Sequence, residues 1–204
     1  MLKQLRRLSL AAFVVLAPSP APAELAAQAA PQWKVDLAHS EMSFKIRHLM
    51  SKVSGTFNDW SGTITGDPKD WSKGTVEIVI QAASIDTRNE RRDGHLKSNE
   101  FFDVAKFPTL AFKSTKVTVS GTRLTVAGDL TMHGVTKPVV LEGEYTGTTG
   151  AGDKQKVGFS FTTKLNRLDY GVTWNRAVEG GGVTLGDEVT IEINVEAVRA
   201  AGAA

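Results

Sequence analysis

The chain of 204 residues contains no cysteine. A disulfide framework and a lipid-modified N-terminal cysteine are therefore both excluded. It also lacks an apolar run long enough to cross a bilayer: the predominantly apolar stretch from Leu8 to Ala17 has ten residues, against roughly 20 for a helical span. No excess of one charge exists either, with 24 Lys/Arg against 22 Asp/Glu. The motifs of covalent and phosphate chemistry are missing too. There is no G-x-S-x-G turn and no phosphate-cradling glycine loop, and no nucleophile stands at a recognisable spacing from a base. Four histidines, His39, His48, His95 and His133, match no compact metal-ligand spacing, so neither a metal nor a cofactor is expected.

What is present begins with a leader. Lys3, Arg6 and Arg7 precede the apolar stretch, and Pro18 to Ala30 is rich in Ala and Pro. This is the pattern of a secretory signal peptide over residues 1–23, with a second small-residue cleavage site as late as 29. An uncleaved anchor is the alternative. Removing residues 1–23 leaves 21 Lys/Arg against 22 Asp/Glu, a net charge of about −1. The basic character of the whole chain thus belongs largely to the leader, and nothing in the bulk charge favours nucleic acid or an anionic membrane surface as a partner. Residues 30–200 suffice for one domain with its own core and no transmembrane helix, expected in the periplasm.

From Trp33 onward the dominant pattern is alternation with period two. Phe44, Ile46 and His48 share a parity with Met42, opposite Ser43, Lys45 and Arg47; Val76, Ile78 and Ile80 alternate with polar neighbours, with only Val79 off pattern. The same alternation places Phe57, Phe112, Leu130, Met132, Phe159 and Phe161 on apolar faces. These are half-buried strands, eight in number, or nine if Lys34 to Leu37 pairs. Turn residues separate many of them, among them Ser120-Gly121 and His133-Gly134. The one convincing helix covers residues 87–98, with Asp86 as candidate cap, and Gly94 weakens it.

Eight antiparallel strands with one wet face each form either a sandwich or a barrel. Length tilts the choice, because "VSGTFNDWSGTIT" and "LTVAGDLTM" run to nine residues or more, roughly 30 Å at ~3.3 Å per residue. A membrane barrel would need an apolar outer face. Here that face carries Lys45, Arg47, Glu77, Glu192 and Glu196. The expected fold is an all-β, eight-stranded antiparallel barrel, apolar inside, with the helix near one mouth.

The segments "HSEMSFKIRHL", "VSGTFNDWSGTI", "IDTRNERRDGHLKSNEFFDVAKFPTLAFKST", "LTVAGDLTMHGVTKPVVLE", "NRLDYGVTWN" and "LGDEVTIEINVEA" resemble, in order, the YceI-like, polyisoprenoid-binding family of bacterial proteins. The resemblance spans about residues 33–198. It implies a lipocalin-like extracytoplasmic barrel holding a long isoprenoid or fatty-acyl chain in its lumen. Lys97 stands where an arginine is common, and Glu100 where an aspartate is usual. Both departures fall on the rim.

On this reading the helix and the "NEFFD" turn cover the barrel mouth. Leu96, Phe101 and Phe102 face the lumen, while Arg88, Arg91, Arg92 and Lys97 stay wet or meet a polar head group, with His95 beside them. The alternative is that the paired rings plug one barrel end as core. His48 is either a ligand contact or a satisfied histidine at the core edge. Asp169-Tyr170-Gly171 and Trp174 resemble the family's Arg-aromatic-Gly segment, and Tyr170 and Trp174 join the candidate ligand-binding set, with rim packing as the alternative. Two other functions stay open: an envelope protein with a filled core and no ligand, and a hydrolase assembled from serines, Asp93 and His95 at the mouth. A lipid is the expected partner, and a homodimer is open to the chain.

Overall fold

A computed structural model describes residues 30–179 and 181–201; the expected signal segment lies outside them. In chain order the elements are β1 (Gln32–Val35), β2 (Glu41–His48), β3 (Ser51–Phe57), β4 (Trp60–Asp67), β5 (Asp70–Gln81), β6 (Ile85–Asp86), α1 (Glu90–Lys97), β7 (Thr109–Ser120), β8 (Arg123–Met132), β9 (Val135–Thr149), β10 (Lys156–Asn166) and β11 (Leu185–Arg199).

These strands make eight staves. β1 and β2 lie one after the other along the same edge of β11, β1 against residues 197–199 and β2 against residues 185–194. β3 continues into β4 in the same way, pairing with β2 and β1 respectively. The remaining neighbours run β4, β5, β7, β8, β9, β10, β11, every pair antiparallel, and the β1–β11 pairing closes the ring. Closure leaves no long open edge, which removes the template for edge-to-edge association. A ninth strand does form, but over Gln32–Val35 rather than Lys34 to Leu37, since Asp36 caps a helical turn that starts at Leu37, and it completes a stave rather than adding one.

The two ends of the barrel differ. At one end the staves are joined by the short turns 67–70 and 120–123 and by the segment 149–156, and both ends of the described chain lie there. At the other stand the Leu49-Met50 hairpin, the long segment 82–108 with α1, the His133-Gly134 turn and the excursion 167–184. His133 and Gly134 have φ of 52° and 75°. That is the left-handed pair a two-residue hairpin turn requires, and Gly adopts it without a Cβ clash.

The alternation read from the sequence corresponds to an inside and an outside. Met42, Ile80, Leu110, Phe112, Leu124, Val126, Leu130 and Phe159 are buried in one core, with Phe44, Val76, Ile78 and Phe161 packed against it. Val79, the residue off pattern, is exposed. Ring-sized side chains fit because small residues face them: a Cβ on Gly128 would stand 2.5 Å from the Phe112 ring. The short-turn end is closed by aromatics. Trp71 lies 6.2 Å from Trp33, 5.6 Å from Tyr145 and 5.0 Å from Phe159 between ring centroids, and Trp33 donates Nε1–H to the Gly66 carbonyl at 2.9 Å.

The helix is shorter than expected and its cap is a different residue. It begins at Glu90, and Asn89 caps it by accepting from the Arg92 amide at 3.0 Å. Asp86 belongs to β6, opposite Thr56, and its carboxylate accepts from the Arg88 amide. Arg88 has φ of 61°, outside the right-handed helical region, so no helix can pass through it.

Candidate functional site

The lumen holds two adjoining cavities. The deeper, about 130 Å³, is bordered among others by Phe44, Phe57, Val76, Ile78, Ile80, Phe112, Leu130, Phe159 and Phe161. Of its lining residues only Ser43, Gly74, Thr75 and Thr163 are not apolar. The second, about 510 Å³, lies under α1 at the mouth, bordered by Ile46, His48, Arg92, His95, Leu96, Phe101, Phe102, Met132 and Trp174. Phe44, Phe57, Leu165 and Ile191 border both. The strands supply the deep wall because their inward parity is apolar. The segment 82–108 and the excursion 167–184 supply the mouth, since only long connections reach across it.

The paired rings divide their work. Phe101 is buried in a small cluster with Val172 and Leu185, and its ring lies 4.9 Å from His95 and 5.1 Å from Trp174. Phe102 is half-buried against the main core and meets Phe57 edge-on at 5.9 Å. The turn carrying them is tied back to the helix by the Phe102 amide on the Leu96 carbonyl at 3.0 Å and the Asp103 amide on the Ser98 carbonyl at 2.8 Å.

The cations expected at the mouth differ among themselves. Arg88 and Arg91 are exposed, whereas Arg92 is half-buried and donates Nε–H to Thr87 Oγ1 and Nη2–H to the Thr87 carbonyl, both at 2.7 Å, so its guanidinium is already engaged. Among the described residues that border the mouth cavity, Arg91, Arg92, Arg167, His48 and His95 carry or can carry positive charge, and no carboxylate does. A polar end group at the mouth therefore meets exposed Arg91 and the hydrogen-bonded guanidinium of Arg92, and the apolar depth offers no such partner.

Arg167 was not expected here. It is 4% exposed, and its guanidinium donates to the carbonyls of Val172, Trp174 and Gly186 at 2.5, 2.9 and 3.0 Å. Nη2 stands 3.7 Å from Asp187. Burial pushes its pKa down and Asp187 opposes that. Its task is to fold the excursion over the mouth. The sequence carried one hint, the Arg-aromatic-Gly resemblance. Trp60, Trp71, Leu124, Val126 and Leu165 also border the deep cavity. The alternation with Leu130 already marks Leu124 and Val126, and parity with Phe159 and Phe161 marks Leu165, whereas Trp71 is off the parity of Val76, Ile78 and Ile80.

Tyr170 does not join the site. It is 2% exposed, in the short helical turn Arg167–Tyr170, where its carbonyl meets His133 Nδ1 at 3.1 Å and burial, then Asp169, raises its pKa. It borders neither cavity, so of the two readings left open by the resemblance the structure has packing beside the mouth. Asp93 and His95, the pair named for a mouth hydrolase, are engaged elsewhere: Asp93 accepts from the Thr87 amide and hydroxyl, while His95 pairs with Glu100. Far from the mouth, Asp36, His39 and Glu196 gather within 4.8 Å. The Lys156 ammonium already bridges Asp36 and Glu196 at 3.1 Å each, which makes this an ion-pair cluster.

Comparison with known proteins agrees with this architecture. The YceI-like domain family matches residues 33–197. A UPF0312 protein of Staphylococcus aureus strain N315 is 38% identical over 164 residues, covering 79% of this chain and 94% of that protein. The crystal structure of the Campylobacter jejuni YCEI protein superimposes with a TM-score of 0.66 at 34% identity, over 74% of this chain and 88% of that one. Burkholderia cenocepacia BcnA gives a TM-score of 0.69 at 22% identity, over 79% and 98%. A polyisoprenoid binding domain from Saccharophagus degradans gives 0.62 at 15%, over 82% and 98%. The last two likenesses concern the fold.

Proposed function

The chain belongs to the YceI-like family, and on that premise we propose that it binds one long apolar ligand, a polyisoprenoid or fatty-acyl chain, in the barrel lumen and acts as a carrier or sequestering protein rather than an enzyme. One observation carries the reading: the lumen is apolar in its depth, blocked by aromatics at one end and polar with cations at the other. Such a tube accepts a chain tail first and leaves its end group at the mouth. The polyisoprenoid chemistry rests on the resemblance and on a fold neighbour that bears that name. An aliphatic chain of another kind fits the same walls.

Native mass spectrometry of gently purified protein, followed by organic extraction and identification of what comes out, tests this. A retained lipid mass supports the carrier. The small deep cavity favours one other reading, a filled barrel, and a bare mass after purification from lipid-rich cells would decide for it. The proposed setting is the periplasm, reached through the leader, with a mature chain beginning near Glu24 or Ala30. N-terminal sequencing of protein from fractionated cells checks it: a cytosolic chain beginning at Met1 would remove the carrier from its setting.

A further inference from the structure

Three features of the β2–β3 hairpin are unfavourable for the hairpin itself. Its turn residues are Leu49 and Met50, and Leu49 has φ of 52°, a left-handed conformation that favours Asn or Gly. Both side chains face solvent, Leu49 at 44% and Met50 at 103% relative exposure. Directly below them Arg47 and Lys52 stand opposite each other across the strand pair, both exposed. Like charges in that position repel. Arg47 ties the turn backbone by donating to the Leu49 carbonyl at 3.2 Å, but nothing in the described fold covers the Leu49 and Met50 side chains. Violations of local preference concentrated in this way mark a surface made for something else.

The tip does not stand alone. The Leu49 amide bonds the Thr184 carbonyl at 2.8 Å, which sets the hairpin beside exposed Val183 and the irregular segment carrying exposed Arg176, whose carbonyl accepts from the Thr184 amide at 2.9 Å. Carboxylates on this side include Glu179, exposed on the neighbouring loop, Asp187, which faces Arg167, and exposed Glu188, which pairs with Lys164. The whole group lies at the mouth end of the barrel, beyond His48 and Leu185, which border the mouth cavity.

We propose that the Leu49-Met50 hairpin is a membrane-docking tip that seats the barrel mouth on an anionic lipid surface, with Leu49, Met50 and Val183 entering the acyl boundary and Arg47, Lys52 and Arg176 meeting the headgroups. Shallow apolar side chains ringed by Lys and Arg are the chemistry of interfacial attachment. The two contributions reinforce each other, because a single cation pair or two apolar side chains alone give only marginal attachment. Docking in this orientation also turns the mouth toward the bilayer, so that an apolar chain passes between membrane and lumen with little exposure to water. The attachment itself does not require a bound ligand and stands apart from the carrier reading.

Flotation with vesicles of phosphatidylglycerol and phosphatidylcholine in equal parts, against vesicles of phosphatidylcholine alone, tests it. Wild-type and variant proteins expressed from the whole chain carry the same N-terminus, so the difference between them reports the hairpin. The double substitution Leu49→Gly, Met50→Asn places glycine at the one turn position with positive φ and is expected to keep or raise the unfolding midpoint while lowering the bound fraction on anionic vesicles at least tenfold. Lys52→Glu is expected to lower it comparably, and added salt to weaken wild-type attachment. Wild-type protein that does not float with anionic vesicles overturns the proposal, as does a double variant that binds like wild type. Equal binding to both vesicle types removes the electrostatic half and overturns the anionic assignment. Self-association that depends on Met50, without flotation, assigns the tip to a second copy of the chain instead. Lipid extracted from the double variant in wild-type amount would leave the carrier reading intact whatever the vesicles report.

Discussion

Phe102 stands edge-on to Phe57, ring centroids 5.9 Å apart, and so joins the turn after α1 to the lumen wall. Its neighbour Phe101 is buried in a separate cluster with Val172 and Leu185. The two rings thus hold the mouth cover from two sides, one on the core and one on the 167–184 excursion. Replacing both by Ala removes surface of roughly 150 to 250 Å² per ring, several kcal/mol in all at ~25 cal/mol per Å². As a cover, the pair is expected to give faster lipid release with a modest fall in the apo unfolding midpoint. An unchanged release rate beside a collapsed midpoint would make both rings core.

Ile78 borders the deep cavity and its parity partners Val76 and Ile80 do the same. Ile78→Arg places a charge where the described lining offers no carboxylate. Desolvating it costs several kcal/mol without a partner. The expected outcome is loss of lipid from the purified protein, with a lowered midpoint. Wild-type lipid content in a folded variant would show that this wall is not the binding surface.

Gly94 sits inside α1, and a Cβ there meets nothing within 4 Å. Gly94→Ala is expected to raise stability by roughly 0.5–1 kcal/mol, the helix-interior difference between the two residues. Urea unfolding measures it. A loss instead would mean that the segment samples a conformation only glycine allows.

The strands were legible because each has one dry and one wet face, so that alternation in Phe44, Ile46 and His48 or in Val76, Ile78 and Ile80 reports inside and outside directly. The start of the helix was not. Arg88 leaves helical geometry because Asp86 pairs with Thr56 on β3, a contact between residues 30 apart in the chain. Arg167 was hidden for a related reason: its partners are backbone carbonyls of residues 172, 174 and 186, which no side-chain pattern announces. Tyr170 was placed by a resemblance that reports the segment and not the direction of a side chain, and it lies buried in a helical turn outside both cavity linings.

Removing Arg167 tests that hidden clamp. Arg167→Ala would leave three carbonyls without their donor, at about 1–3 kcal/mol for each one that stays buried. A loss of roughly 3 kcal/mol or more is expected in equilibrium unfolding, with Arg167→Lys intermediate because an ammonium cannot span the three acceptors. A loss below about 0.5 kcal/mol, the range of ordinary surface changes, would show that the excursion holds its place without the guanidinium.

The last relationship concerns closure of the ring. Lys156 at the start of β10 bridges Asp36, just after β1, and Glu196 on β11, at the place where the first stave is interrupted. His39, then Lys156, holds the Asp36 carboxyl below its ordinary value of 3.8. Asp36, then Glu196, holds the Lys156 ammonium above its ordinary 10.5. For Asp36 the folded value is depressed, so its stabilisation is present above 3.8 and lost as pH falls through the folded value. For Lys156 the folded value is raised, so its stabilisation is present below 10.5 and lost as pH rises through the folded value. The difference in unfolding midpoint between wild type and Lys156→Met should therefore be greatest across the neutral range and shrink toward both extremes. It should also fall with added salt, because these side chains are partly exposed. A difference that stays constant from acid to alkali would mean that the lysine acts through the packing of its stem, and that charge does not hold the seam.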